Sequence, residues 1–155
     1  IDIVLNGVGL KKISFFSVFY GVLYLENKSQ DSQVILNSNQ LKVGVIHTLR
    51  AISKSQLINM WDSEFIRLCD KLCEELLPYH KHFLSYFRDF NKSERLYLIF
   101  FEDYFEFEVN ENEFYEPIPS PEYTRFLQRV LLGPDVADKW LKKGLLGQEE
   151  ICKKV

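Results

Sequence analysis

The sequence predicts an α+β fold in which a layer of helices covers one face of a large antiparallel sheet. Strand-like and helix-like segments come in blocks rather than in strict alternation, which favours this arrangement. Residues 104–109 alternate apolar with acidic side chains, as a strand with one buried and one solvated face does. Residues 58–76 carry an apolar side chain every three or four positions, the period of an amphipathic helix.

Length and composition limit the classes of protein to consider. The 155 residues are 46% apolar and include 13 Phe, so we expect one globular domain over residues 1–147 and a polar tail over 148–155. A net charge of −3 gives no reason to expect a nucleic-acid partner. No apolar run reaches the roughly 20 residues of a membrane span. The first residue is Ile rather than Met, so we expect a processed or trimmed chain that has already lost any signal peptide.

The opening segment pairs two glycines with two lysines. A first strand is expected to end by residue 5, and Gly7 and Gly9 then predict a tight turn. Lys11 follows at the start of a second strand, residues 13–25, which is rich enough in Phe, Tyr and Val to be buried on both faces. The lysines could hold an anion there, or they could be ordinary solvated side chains. A dinucleotide site is excluded because a strand, not a helix, follows the glycines.

Two further elements are predicted before the long helical region. A short helix over residues 31–36 begins at Asp31 or Ser32, either of which can cap it. A strand over residues 41–49 follows, and its odd-numbered residues are expected to share one apolar face.

The helical region begins with a capping box formed by Ser53 and Gln56. Pro78 is expected to end this helix and to start the next one, because proline fits the first turn of a helix. Cys69 and Cys73 share one helical face. Three cysteines are too few for a disulfide scaffold and lack further zinc ligands, so two buried thiols are expected.

The remaining chain predicts a three-stranded meander over residues 95–101, 104–109 and 114–118, followed by two helices. The acidic residues of the meander lie on strands, which favours a solvated sheet face over a calcium site. Ser120 or Pro121 opens the first helix, which ends at Gly133–Pro134. Asp135 is expected to cap the last one, with Val136 and Trp140 turned inward. No motif in the chain requires a cofactor or a metal.

Four blocks of sequence, in this order, resemble the bacterial branch of the chalcone isomerase-like domain. The family's opening pattern L-N-G-x-G-x-R-x-K stands here as LNGVGLKK (5–12), followed by the strand SVFYGVLYL (17–25). The later blocks are LRAIS (49–53) and a closing helix, residues 126–133, with LKKGLLG (141–147). The resemblance covers nearly the whole chain and implies an open β-sandwich-like fold with a ligand cleft between the sheet and its helices.

The resemblance also assigns expected roles to single residues. In plant chalcone isomerases an arginine after the glycines steadies a phenolate, and a threonine and a tyrosine help to polarise the ketone. In fatty-acid-binding relatives the arginine pairs with the lipid carboxylate. Here the arginine position is Lys11 and the threonine position is near Phe19, which cannot relay a proton. Tyr86 and Tyr123 are loose candidates for the tyrosine. Chalcone cyclisation is therefore not expected.

Three hypotheses follow. The first is non-catalytic binding of a small apolar, fatty-acid-like ligand, with Lys11 and Arg50 as counter-charges and Phe19, Tyr86 and Tyr123 lining the cleft. The second is an isomerase or lyase of unknown substrate that uses a different set, such as Lys11, Arg50 and Tyr86. The third is a structural or partner-binding domain whose cleft is filled by its own Phe side chains. Because the bacterial relatives usually carry an export signal, the resemblance implies a periplasmic location.

Overall fold

The computed structural model describes residues 2–148. Within them, one antiparallel sheet has six strands in chain order: β1 (Val4–Ile13), β2 (Phe16–Leu25), β3 (Lys42–Thr48), β4 (Arg95–Phe100), β5 (Phe105–Val109) and β6 (Glu113–Phe114). The α-helices of the same residues are α1 (Ser32–Leu36), α2 (Lys54–Leu68), α3 (Cys73–Leu84), α4 (Pro121–Leu132) and α5 (Lys139–Leu145). This confirms the predicted α+β class and the large antiparallel sheet.

The buried face of the sheet is set by its register. Gly21 of β2 pairs with Ile46 of β3, which pairs with Leu96 of β4, and all three lie on the helix-covered side. The helices and this face enclose the main core, to which the sheet contributes Phe19, Ile46, Leu96, Leu98, Phe100, Phe105, Phe107 and Val109. The prediction that β2 is buried on both faces is wrong, because its residues alternate between buried and half-buried.

The odd-numbered residues of β3 share one face as predicted, but this more apolar face is not the more buried one. The even-numbered residues Lys42, Gly44, Ile46 and Thr48 are buried, whereas on the odd-numbered face Val45 is buried and Val43 and His47 are half-buried. The sequence misled because the buried face of this strand carries a glycine, a threonine and a lysine. Pairing with β2 and β4, and not hydrophobicity, decides which side of β3 meets the helices.

Gly7 and Gly9 do not form a turn, because β1 continues through both, with a bulge between Leu5 and Gly7. The chain reverses at Ser14, which has a φ of 57°, and Phe15 at the tip is 95% exposed. The glycines are needed where α5 crosses β1. A Cβ on Gly9 would lie 2.6 Å from the carbonyl oxygen of Leu141, so no side chain fits there.

The break between the two long helices lies before Pro78. Helix α2 ends at Leu68, a 3₁₀ turn covers Asp70–Leu72, and Pro78 stands inside α3. A disulfide joins Cys69 to Cys73 across this break, which corrects the expectation of two free thiols. Asp70 adopts a φ of 50° within the turn, a conformation that ends the regular α-helix.

The other predicted boundaries agree in part with the structure. Asp31, Ser120 and the capping box of Ser53 cap their helices as expected. The last helix begins later than predicted: Asp138 caps it, and Trp140 is 48% exposed instead of inward. The domain boundary at residue 147 stays a prediction, and tail residues 149–155 lie outside the described residues.

Candidate functional site

A cavity of about 110 Å³ lies between the sheet and the helices α2, α4 and α5. Its sheet side is formed by Phe19, Gly21, Gly44, Ile46 and Leu98. Its helix side is formed by Met60, Trp61, Val130, Leu131, Leu141 and Leu145. Missing side chains help to leave this space open: a Cβ on Gly44 would meet no atom closer than 3.8 Å. The walls are therefore mostly aliphatic and aromatic.

One edge of the cavity carries an ion pair. The Nζ of Lys11 lies 3.0 Å from the Oδ2 of Asp138, and both side chains are 23% exposed. The other carboxylate oxygen of Asp138 accepts a hydrogen bond from the backbone N–H of Leu141 at 2.9 Å, which caps α5. The cation predicted to hold an anion therefore already has an anionic partner, fixed in place by a helix start.

A second acidic group on the cavity wall is also neutralised. The carboxylate of Glu64 accepts a hydrogen bond from Nη2 of Arg67, one helical turn further along α2. The other terminal nitrogen of Arg67 donates to the carbonyl oxygen of Asp135 at 2.6 Å. This contact ties α2 to the loop that carries Val136 and Ala137 into the cavity wall.

Trp61 is the aromatic ring that α2 contributes to the wall. Its side chain is 5% exposed, and it packs edge-to-face on Phe83 with 5.4 Å between ring centres. Its indole N–H has no hydrogen-bond partner among the described residues. In the sequence Trp61 is one member of a regular apolar stripe, so no local signal marks it as different from its neighbours.

The predicted site residues do not all meet at this cavity. Lys11 and Phe19 line it, and they pair with each other across β1 and β2. Arg50, Tyr86 and Tyr123 are not among the lining residues. Arg50 is exposed, with its guanidinium 4.1 Å from the ring centre of Phe16 at the β1–β2 end of the sheet. The part of each in ligand binding stays a prediction.

Tyr86 is engaged in a surface contact. Its hydroxyl donates a hydrogen bond to the carbonyl oxygen of Glu116 at 2.6 Å and lies 2.9 Å from Nε2 of His82. Burial, together with the carboxylate of Glu116, raises the pKa of the Tyr86 phenol. The phenol therefore keeps its proton at neutral pH and fixes the end of α3 to the chain after β6.

Tyr123 ends a buried polar chain. Its hydroxyl lies 3.0 Å from Nδ1 of His80, and Nε2 of His80 lies 3.2 Å from Oδ1 of Asp62. Burial lowers the pKa of His80, against an opposing effect of Asp62, and burial raises the pKa of Tyr123 well above its usual value. A general acid must reach its substrate. Tyr123 is 0% exposed, so its hydroxyl is closed off from solvent in this structure.

Residues 2–148 contain neither a metal-binding cluster nor a membrane-spanning helix. No group of three or more His, Cys, Asp or Glu side chains there is arranged to hold a metal ion. No helix in that range is long and apolar enough to cross a membrane.

Comparison with known proteins identifies the family. The family model described as chalcone isomerase-like matches residues 2–147. The chain belongs to the chalcone isomerase-like family. A crystal structure of a fatty-acid binding protein from Arabidopsis thaliana superposes on this chalcone isomerase-like chain with a TM-score of 0.72 and 13% identity, covering 93% of this chain and 86% of that one. It confirms the fold. No curated protein sequence matches.

The family's first and last sequence blocks meet in space. The side-chain amide of Asn6 donates to the carbonyl oxygen of Leu145 at 2.9 Å and accepts from the backbone N–H of Ser29 at 2.8 Å. Gly144 of α5 packs directly on Gly9 of β1. A Cβ added to Gly144 would lie 2.9 Å from the backbone nitrogen of Gly9. In this chalcone isomerase-like chain, the glycines therefore allow α5 to pack directly on β1. This packing places Leu141 of α5 and its N-cap Asp138 at the cavity.

Proposed function

We propose that this protein binds a small apolar, fatty-acid-like ligand in the cavity between sheet and helices, without changing it chemically. The observation that carries the proposal is the cavity itself, because concave apolar walls with few polar groups are typical of ligand sites. The fold neighbour described as a fatty-acid binding protein supports the same class of ligand. Phe19, which lies near the position where the resemblance expects the family's threonine, offers no proton for an isomerase reaction.

The size of the cavity limits the ligand. Ligand pockets usually measure about 300–1,000 Å³, whereas an apolar cavity of about 150 Å³ takes one benzene molecule. The cavity here, of about 110 Å³, is smaller than that benzene site, so it has room for a short acyl chain and takes a ring only if its walls move outward slightly. A longer chain would have to extend past the ion pair of Lys11 and Asp138 or displace part of the helix side.

Lys11 is the proposed counter-charge for a ligand carboxylate. Its ammonium lines the cavity but is held by Asp138, so an anionic ligand has to share the lysine with that carboxylate. We expect Lys11→Met to weaken octanoate binding about threefold to tenfold. Lys12→Met, which removes the same charge from the exposed neighbour, should leave it unchanged. Arg50→Ala tests the second predicted counter-charge in the same titration.

The proposal is tested by calorimetric titration of lipid-free protein with butanoate, hexanoate, octanoate and decanoate. We expect saturable one-to-one binding that is lost in Gly44→Leu, where the new side chain fills the cavity. Gly44→Ala, a smaller change at the same open position, is the control. Absence of binding would favour the alternative of a structural domain, which the small volume of the cavity also supports. Equal binding by Gly44→Leu would place the ligand outside this cavity and contradict the proposed site.

We also propose that the protein is an exported bacterial protein of the periplasm. The disulfide between Cys69 and Cys73 supports this, because disulfides persist in oxidising compartments and are rare in the cytosol. The protein should be recovered in the periplasmic fraction of its host, and alkylation of that unreduced protein, followed by peptide mass spectrometry, should leave Cys69 and Cys73 unmodified; recovery in the cytosol would contradict the proposal. Modification of both in that preparation would contradict the proposal.

A further inference from the structure

One buried side-chain donor in the described part of the chain is left without a partner. The indole N–H of Trp61 is the buried side-chain polar atom that lacks a hydrogen bond within residues 2–148. Buried tryptophans usually find an acceptor, because an unpaired buried N–H is unfavourable. The apolar neighbours of Trp61 in the core, such as Phe83, supply none.

This donor belongs to a residue of the cavity wall. Trp61 lines the cavity between Met60 and Glu64 of the same helix. The charged groups of the wall are already engaged: Lys11 with Asp138, and Glu64 with Arg67. Within the described chain, the side chain that lines the cavity and has a buried polar atom without a hydrogen bond is therefore Trp61.

We propose that the indole N–H of Trp61 donates a hydrogen bond to an oxygen atom of the bound ligand. The cavity then selects an apolar molecule that carries an acceptor oxygen, as a carbonyl or carboxyl group does, over a hydrocarbon of the same size. A neutral oxygen is sufficient, because Asp138 already balances the charge of Lys11. The inference rests on the proposed function, since it requires the cavity to take a ligand.

The expected gain is moderate. The ligand oxygen gives up a hydrogen bond to water when it enters the cavity, and it recovers one from a donor that is otherwise unpaired. Net contributions of such bonds correspond to about threefold to tenfold in affinity.

The test compares two probes with the same number of heavy atoms, cyclohexanone and toluene, of which only the first carries an oxygen. Dissociation constants are measured for the parent protein, for Trp61→Phe, and for Trp140→Phe as the control at the other tryptophan. The ratio of cyclohexanone to toluene affinity should fall about threefold to tenfold in Trp61→Phe and should be unchanged in Trp140→Phe. The Trp61 indole proton of the parent, assigned with the same variants, should shift downfield in NMR spectra with cyclohexanone only.

Two results would overturn the inference in distinguishable ways. If both probes shift the methyl signal of Met60, the protein's one methionine, but the indole proton and the affinity ratio do not respond, Trp61 is not the donor and the proposed function stands. If neither probe shifts Met60, the cavity takes no ligand of this size, and the proposed function fails as well. The indole signal of the parent decides the question even if Trp61→Phe does not fold.

Discussion

Asp138 makes two interactions, and one substitution can remove the first while keeping the second. It pairs with Lys11 and caps α5 through the N–H of Leu141. Asn caps helices about as well as Asp, so Asp138→Asn should keep α5 and release Lys11. Because part-exposed ion pairs contribute about 0–1 kcal/mol, we expect octanoate to bind up to about fivefold more tightly.

The measurement is a calorimetric titration with Asp135→Asn as the matched control. Asp135 lies on the same loop and is exposed, and its substitution changes the net charge equally. An equal change in both variants, or none in Asp138→Asn, would show that Asp138 does not restrain Lys11.

His80 gives the protein a pH dependence of known sign. Burial lowers its pKa below the usual 6.5 in the folded state, more than Asp62 raises it. The unfolded chain therefore binds the proton more readily, so the stability that His80 contributes is complete above pH 6.5 and is lost as the pH falls below it.

Chemical denaturation between pH 8 and pH 5.5 checks this, comparing the parent with His80→Gln. The free energy of unfolding of the parent should decrease more steeply toward pH 5.5 than that of the variant. Parallel curves would mean that protonation of His80 does not oppose folding.

At the scale of elements, the crossing of α5 over β1 depends on glycine. In Gly144→Ala the new Cβ would meet the backbone of Gly9, which cannot move away without distorting β1. Overpacking typically costs about 1–3 kcal/mol, and alanine recovers up to about 1 kcal/mol of helix propensity.

We therefore expect Gly144→Ala to lower the free energy of unfolding by about 2 kcal/mol, measured by urea denaturation. Gly44→Ala is the control, because its Cβ would have no neighbour within 3.8 Å. If the two variants lose the same stability, the close packing of α5 on β1 is not what requires Gly144.

The sequence predicted those elements whose cause is local. Ser53 and Gln56 cap α2 through bonds within four residues, and their spacing alone reveals them. The glycines of β1 were misread as a turn because their partner, Gly144, lies more than 130 residues away along the chain. The break between the two long helices was wrongly predicted at Pro78, because proline is a stronger helix-ending signal in a sequence than the residues of the turn at Asp70.

The candidate site was predictable to a smaller extent. The resemblance singled out Lys11 and Phe19, and both line the cavity, where they pair with each other across β1 and β2. Their part in binding stays a prediction. Asp138 and the unpaired N–H of Trp61 had no sequence signal. An ion pair between β1 and α5, or a donor without an acceptor, exists only once the helices are packed on the sheet.

In the whole molecule, the helix layer leaves an open space over the sheet, which is the proposed ligand site. Gly21 and Gly44 keep side chains out of that space, and α2, α4 and α5 close it from the other side. The 13 Phe residues could have filled it, yet of these only Phe19 is part of its wall. The cavity is therefore the feature on which the proposed binding function rests.

Met60 permits the most direct measurement of this claim, because it is the one methionine of the chain and lines the cavity. Protein labelled with ¹³C at the methionine methyl group gives a single signal from inside the site. On titration with octanoate, the account predicts a saturable shift of that signal in the parent protein and none in Gly44→Leu. A Met60 signal that does not move as octanoate is added to the lipid-free parent would contradict it.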